Sequence, residues 1–240
     1  MLWWVGGFAA LLSLAAVIYL LLTLWAVGRW HPVLPERDAA ATEDILRDWP
    51  GVSVLKPLHG DEDNLYSALH SFCAQDYPAF EIVFGVQRPT DPAIAVVQRL
   101  QAEFPALSLY WVCTEARIGS NPKVNNLVGI LAACRYDALV ISDADITVGP
   151  RYLRQICAPL QNRDVGVVPC LYRARPAATF WSRVLASQVN SLFLPSVLVA
   201  ARLGPNIFCG GATMALRRGT LEAFGGLPRL ANQLAGDYWL

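Results

Sequence analysis

The stretch Ala138-Leu139-Val140-Ile141-Ser142-Asp143-Ala144-Asp145-Ile146 holds the strongest local signal in this chain of 240 residues. Its first five residues are uncharged and of strand length, the pattern of a strand buried on both faces of a parallel sheet. Two carboxylates then stand one residue apart where that strand must end. Carboxylates beside a buried strand need a reason, because an unpaired buried charge is costly. One reason is a metal: the pair offers hard oxygen ligands to Mg²⁺ or Mn²⁺, which complete their shells with substrate phosphate oxygens. That arrangement suits a nucleoside diphosphate. The other reason is local, a helix cap or an Asx turn opening toward Pro150.

On either side of this stretch the same rhythm repeats. Apolar runs of strand length lie at 52–58, 80–86, 108–113 and 165–169, with a further strand-like stretch at 213–216. Helix-like segments separate them. Asp63 or Asn64 opens one carrying Leu65, Leu69 and Phe72, Asp91-Pro92 opens another carrying Ile94, Val97 and Leu100, and residues 123–134 make a third. Strands alternating with helices predict an α/β fold with a mostly parallel sheet and flanking helices. In such open sheets ligands sit outside the carboxyl ends of the strands, so chemistry is expected just after Val86 and just after Ser142. Both places carry aspartate.

Asp91 follows the second strand, where a carboxylate either caps the next helix or accepts hydrogen bonds from a uracil N–H or a ribose hydroxyl. Glu62 follows the first strand in Lys56-Pro57-Leu58-His59-Gly60-Asp61-Glu62-Asp63, in the same row of loops, and reads equally as a solvated acidic turn. Gly119-Ser120-Asn121-Pro122-Lys123 joins a flexible glycine, a turn proline and one lysine at a helix start, a combination able to aim backbone N–H groups and an ammonium at a phosphate. Cys209-Gly210-Gly211-Ala212 either lets backbone approach a ligand or makes a tight turn. The chain has neither a G-x-G-x-x-G nor a G-x-x-x-x-G-K-[ST] sequence, which argues against a dinucleotide oxidoreductase and a P-loop protein.

The run from Trp3 to Val27 carries no charge and is long enough to cross a bilayer as a helix. A cleaved signal peptide fits less well: no basic residue precedes the run, and Trp3, Trp4, Trp25 and Trp30 sit like interfacial belts. Arg29 and Arg37 follow the helix, so the positive-inside rule puts the remainder in the cytoplasm. Residues 1–30 are thus read as a membrane anchor, 31–50 as a polar, proline-bearing linker, and 51–240 as the folded domain. The apolar stretch 180–203 is interrupted by Pro195 and studded with Ser182, Ser187, Gln188, Asn190 and Ser191; it is expected as a core helix over the sheet rather than a helix in the membrane interface. The 19 basic and 19 acidic residues cancel, so nothing in the charge points to nucleic acid. Six cysteines without a CxxC pair read as reduced, buried thiols in a cytosolic compartment, and the three histidines have no zinc-ligand spacing.

Five segments together, KPLHGDEDNL at 56–65, VQRPTDPAIAV at 86–96, NPKVNNL at 121–127, ISDADI at 141–146 and GDYWL at 236–240, resemble the ceramide glucosyltransferase family in order and spacing. The resemblance extends to its bacterial branch, which includes hopanoid-biosynthesis-associated glycosyltransferases. It implies a GT-A (Rossmann-like) fold of the family-2 type, an inverting mechanism and a UDP-sugar donor carrying glucose or N-acetylglucosamine. It also implies a divalent cation and a lipid acceptor at the cytoplasmic face of a membrane, the inner membrane in a bacterium. Carried over by motif, Pro57, Glu62, Asp91, Lys123 and Asp143 would bind the donor, Asp143 and Asp145 would hold the metal, and Asp237 would be the catalytic base.

Two departures qualify the match. The family has Glu before the third aspartate where this chain has Gly236, and its members continue into a Gln/Arg-x-x-Arg-Trp motif and further membrane segments beyond the point where this sequence reaches Leu240. The domain is therefore expected to be incomplete at its C-terminal end, and a non-catalytic, membrane-tethered nucleotide-binding remnant is the competing reading.

Overall fold

The computed structural model describes residues 2–29, 49–62, 64–115, 117–204 and 211–233. Residues 30–48, which hold most of the linker read at 31–50, together with Asp63, Cys209 and the segment with Gly236 and Asp237, lie outside them. The chain divides into two compact units, Met1–Leu34 with Leu171–Phe208, and Pro35–Cys170 with Cys209–Leu240.

The larger unit is built on a six-stranded sheet. In chain order its elements are β1 (Val52–Pro57), a helix Leu65–Cys73, β2 (Phe80–Val86), a helix Ala93–Glu103, β3 (Ser108–Cys113), a helix Pro122–Ala133, β4 (Ala138–Ser142), a short helix Tyr152–Cys157, β5 (Val167–Pro169), β6 (Thr213–Arg217) and a last helix Arg218–Phe224. The sheet order is β3-β2-β1-β4-β6-β5. β1, β2, β3 and β4 are parallel, while β6 runs antiparallel to both β4 and β5. The mostly parallel sheet predicted from the rhythm of the sequence is present, with β6 as its one reversed strand.

Strand side chains alternate between two faces, and both are covered. Val52 and Val54 of β1, Ile82 and Phe84 of β2 and Val140 of β4 join Leu69, Phe72, Val97, Leu100 and Ile156 in one core. Leu55, Val83, Leu139 and Ile141, from the same strands, join Val124, Leu127, Ile130, Leu216 and Leu221 in the other. This two-sided burial is why the strands read as continuous apolar runs. Helix Pro122–Ala133 lies close on β2, because a side chain at Gly85 would collide with Asn126 and Ile130.

Local capping departs from expectation at one helix. Asn64 stands at the start of Leu65–Cys73 but is left-handed, with φ 69°, and its side chain makes no cap bond. The turn is held instead by the Leu65 N–H donating to the Glu62 carbonyl at 3.0 Å. Asp91 does cap: its Oδ1 accepts from the Ala93 N–H at 3.0 Å.

In the smaller unit, α-helix Leu2–Gly28 carries no charge, and its stretch Gly6–Gly28 is long and apolar enough to cross a membrane. The segment 180–203 corrects the core-helix expectation. It forms Phe180–Gln188, a π-turn Val189–Phe193 and Leu194–Leu203, and most of its apolar side chains are exposed, Phe180 and Trp181 at 70% and 72%. Only Leu198 and Val199 of this segment join a buried cluster, with Ala26 of the N-terminal helix. Helical periodicity records an apolar face, not what covers it. The thiols need a similar correction, since Cys73 and Cys157 are buried but Cys113 is exposed.

Candidate functional site

β1 leads to β2 on one side, and the chain reaches β4, on the other side of β1, only after β3. The carboxyl ends of β1 and β4 therefore form a topological switch point, where doubly wound sheets leave a crevice. A cavity of about 460 Å³ opens there. Its walls bring together Pro57, Glu62, Lys123, Asp143 and Asp145, joined by Gln87 and Asn126. These are five of the seven residues the sequence singled out, drawn from loops more than eighty positions apart. Asp91 does not line the cavity, and Asp237 lies outside the described residues.

The charges in this cavity are set by burial and by one lysine. Asp143 follows β4, its N–H donating to the Ala212 carbonyl at 2.9 Å, and its Oδ1 lies 2.5 Å from Lys123 Nζ. Burial nonetheless raises the Asp143 pKa above the usual aspartate value, against the pull of Lys123. Glu62 is raised too, by burial first and then by the negative charge of Asp145. Three carboxylates facing one cavity thus leave a demand for positive charge that Lys123 meets only in part. Lys123 also donates to the Gly211 carbonyl at 3.0 Å, so it ties the start of its own helix to both the β4 end and the segment entering β6.

Lys56 is the residue that sequence reasoning missed. It has no exposed surface, and its ammonium donates to the Asp143 carbonyl at 2.6 Å and to Ser142 Oγ at 3.1 Å. The same ammonium sits 3.6 Å from the centre of the Phe72 ring. Burial lowers its pKa to about 7, opposed by the negative charges of Asp143 and Asp145. The available signal was a lysine embedded in the otherwise uncharged run Val52-Ser53-Val54-Leu55-Lys56-Pro57.

Asparagines and one aspartate fix the surrounding loops. Asn126 Nδ2 donates to the Gly85 carbonyl at 2.7 Å, and Asn125 accepts the N–H groups of Ile118 and Gly119 at 3.1 Å each. Asn121 caps helix Pro122–Ala133 by accepting from the N–H groups of Lys123 and Val124, and its Nδ2 donates to the Gln233 carbonyl at 2.8 Å. Asn232 Oδ1 accepts the Ser120 N–H at 3.0 Å. The chain is thereby pinned beside the cavity four residues before Asp237. The Asp91 carboxylate accepts the Gly60 N–H at 3.1 Å while capping its own helix, so it holds the loop after β1 that carries Glu62.

Among the described residues, no three His, Cys, Asp or Glu side chains stand close enough to hold a metal by themselves. A divalent ion that keeps water or substrate phosphates needs only one or two carboxylates from the protein. Asp143 and Asp145 fit that requirement, and the Asp143 carboxylate already engages a cation, the Lys123 ammonium.

Comparison with known proteins identifies relatives of the chain. Ceramide glucosyltransferase 1 of Caenorhabditis elegans is 31% identical over 196 residues, covering 79% of this chain and 41% of that protein. The ceramide glucosyltransferase of Komagataella phaffii is 29% identical over 147 residues, covering 60% of this chain and 29% of that one. The chain thus spans less than half the length of these relatives. Among solved structures, the mannosyltransferase PcManGT from Pyrobaculum calidifontis, in complex with GDP-Man and Mn²⁺, superimposes with a TM-score of 0.57 at 22% identity, covering 88% of this chain and 58% of that one. The fold is accordingly of the GT-A glycosyltransferase type. The sequence profile of glycosyl transferase family 21 matches residues 8–240, nearly the whole chain, and the protein belongs to that family.

Proposed function

We propose that the protein is an inverting glycosyltransferase that moves glucose or N-acetylglucosamine from a UDP-sugar to the hydroxyl of a membrane lipid, ceramide-like or hopanoid. The observation that carries this reading is the cavity at the β1 and β4 ends, where Pro57, Glu62, Lys123, Asp143 and Asp145 converge. The relatives' names support a lipid acceptor, and the long apolar helix Gly6–Gly28 supports a membrane setting. In this reading that helix anchors the chain in the inner membrane of a bacterium, and the sheet lies on the cytoplasmic side, where Arg29 and Arg37 follow the helix.

Asp143 and Asp145 would hold Mg²⁺ or Mn²⁺, and such an ion, when bound, neutralises charge on a leaving diphosphate. Lys123 adds a second positive charge on the same side of the cavity. Lys56 fixes the backbone from which the Asp143 side chain projects, and Asp91, besides holding the Gly60 loop, is the residue the motif match assigns to the nucleoside. Asp237 takes the proton from the acceptor hydroxyl as that oxygen attacks the anomeric carbon from the face opposite UDP. The bond to UDP breaks as the new glycosidic bond forms. An ordinary aspartate near pKa 4 is a weak base, so its effect rests on being positioned against the acceptor.

The test is a transfer assay on membranes carrying the chain, with radiolabelled UDP-glucose and UDP-N-acetylglucosamine and lipid extracts as acceptors. Label is expected in the lipid phase from one donor, and Asp237→Asn is expected to lower transfer about 100-fold or more with UDP binding intact. A chain that binds UDP but labels no lipid from either donor contradicts the proposal.

A further inference from the structure

Residues 171–203 fold as a hairpin in the smaller unit, an extended strap laid back along a helix. The strap is clamped by a reciprocal amide pair, the Ala174 N–H donating to Asn190 Oδ1 at 2.8 Å and Asn190 Nδ2 donating to the Ala174 carbonyl at 2.9 Å. Tyr172 packs on Phe193 with ring centres 5.8 Å apart, and the Ala177 N–H donates to Ser182 Oγ at 2.8 Å. Asn190 and Phe193 both belong to the π-turn Val189–Phe193, so this irregular turn of helix is where the strap is fastened.

The chain reverses at Thr179, which caps the helix Phe180–Gln188, and next to this reversal stand Phe180 and Trp181, each about seven-tenths exposed. On that helix Phe180, Trp181, Val184 and Leu185 fall within an arc of about 140° at 100° per residue, and all four are exposed. Arg183 borders the arc, and Arg173 and Arg175 lie on the strap; all three are exposed. From 171 to 204 the sequence has four arginines and no aspartate or glutamate. An exposed apolar arc edged by cations matches the headgroup boundary of an anionic leaflet, where aromatic rings enter the acyl region and guanidinium groups meet lipid phosphates. A full span fits less well, because Ser182, Arg183, Ser187, Gln188, Asn190 and Ser191 would lie along it.

We propose that this hairpin is a second membrane contact, with Phe180 and Trp181 inserted at the headgroup level of an anionic lipid surface and Arg173, Arg175 and Arg183 on the phosphates. The inference rests on the membrane setting proposed above. It is tested with the full chain in vesicles of phosphatidylcholine alone or with about one third phosphatidylglycerol, using lipids brominated near the glycerol end or near the chain terminus. The emission lost on Trp181→Phe isolates that residue from the other seven tryptophans. Trp181 is expected to be quenched more by the shallow bromines. Its quenching should fall by about half or more without phosphatidylglycerol, or in the combined Arg173→Gln, Arg175→Gln, Arg183→Gln variant. Stronger quenching by the deep bromines, or quenching indifferent to lipid charge, overturns the proposal. An unquenched Trp181 beside quenched emission from the remaining tryptophans overturns it as well, and leaves the N-terminal anchor standing. If no tryptophan is quenched, the membrane setting itself fails and the hairpin proposal with it.

Discussion

Lys56 sits underneath the acidic pair rather than beside it, and that position gives it a separate job from Lys123. Lys123 is in the cavity and meets the Asp143 carboxylate; Lys56 is behind it and meets the Asp143 carbonyl. Removing the buried ammonium leaves a carbonyl without its charged donor, a loss worth about 1–3 kcal/mol at the site. Lys56→Met keeps an unbranched stem against Phe72, so we expect a folded protein that binds UDP in the presence of Mn²⁺ about tenfold more weakly. Titration calorimetry beside a thermal melt checks this, and unchanged affinity in a folded variant refutes the positioning role. Asp143, Asp145 and Lys123 were readable in the sequence because charge at a strand end or a helix start is conspicuous. Lys56 was not, because its value depends on register: only the pairing of Leu55 with Ile141 brings its side chain to Ser142 and Asp143.

Helix Pro122–Ala133 carries the cavity's lysine on its first turn, and Asn121 holds that turn in place. The Asn121 side chain accepts two helix N–H groups and donates to the Gln233 carbonyl, so Asn121→Ala should cost about 1 kcal/mol, read as a lower urea midpoint with an unchanged slope. At the opposite end of the strands Glu81 gathers Ser53, Tyr110 and the backbone and guanidinium of Arg135. Burial disfavours its charge, but these hydrogen bonds outweigh that and hold its pKa below the usual glutamate value. The unfolded chain binds this proton more readily, so the stabilisation is complete above about pH 4.5 and disappears as pH falls through the lowered native value. Glu81→Gln should therefore flatten the loss of urea stability in that acid window. A variant that loses stability with pH as steeply as the wild type would contradict this. The starts of the helices Leu65–Cys73, Ala93–Glu103 and Pro122–Ala133 were visible in the residue pattern, whereas the short helices Tyr152–Cys157 and Arg218–Phe224 were not, nor was the fate of 180–203, since a core helix and an exposed apolar helix share one periodicity.

The whole sheet places the cavity. β1 is central, its neighbours depart in opposite directions, and the loops leaving β1 and β4 face each other across the switch point. The mostly parallel sheet and the acidic residues at strand ends followed from the sequence, because buried parallel strands are continuous apolar runs, but the strand order that sets β1 beside β4 did not, and chemistry was expected after β2 rather than after β1. The reversal of β6 did not follow, since a strand buried on both faces shows the same unbroken run in either direction, yet β6 flanks β4 and its leading segment supplies the Gly211 and Ala212 carbonyls that meet Lys123 and Asp143. The cavity is proposed as a metal-dependent UDP site, and calorimetric titration of UDP into the detergent-solubilised chain, with and without Mn²⁺ and beside Asp145→Ala, tests this directly. We predict binding that requires Mn²⁺ and is lost in the variant; binding of equal strength with EDTA present and in Asp145→Ala would contradict a metal-dependent site.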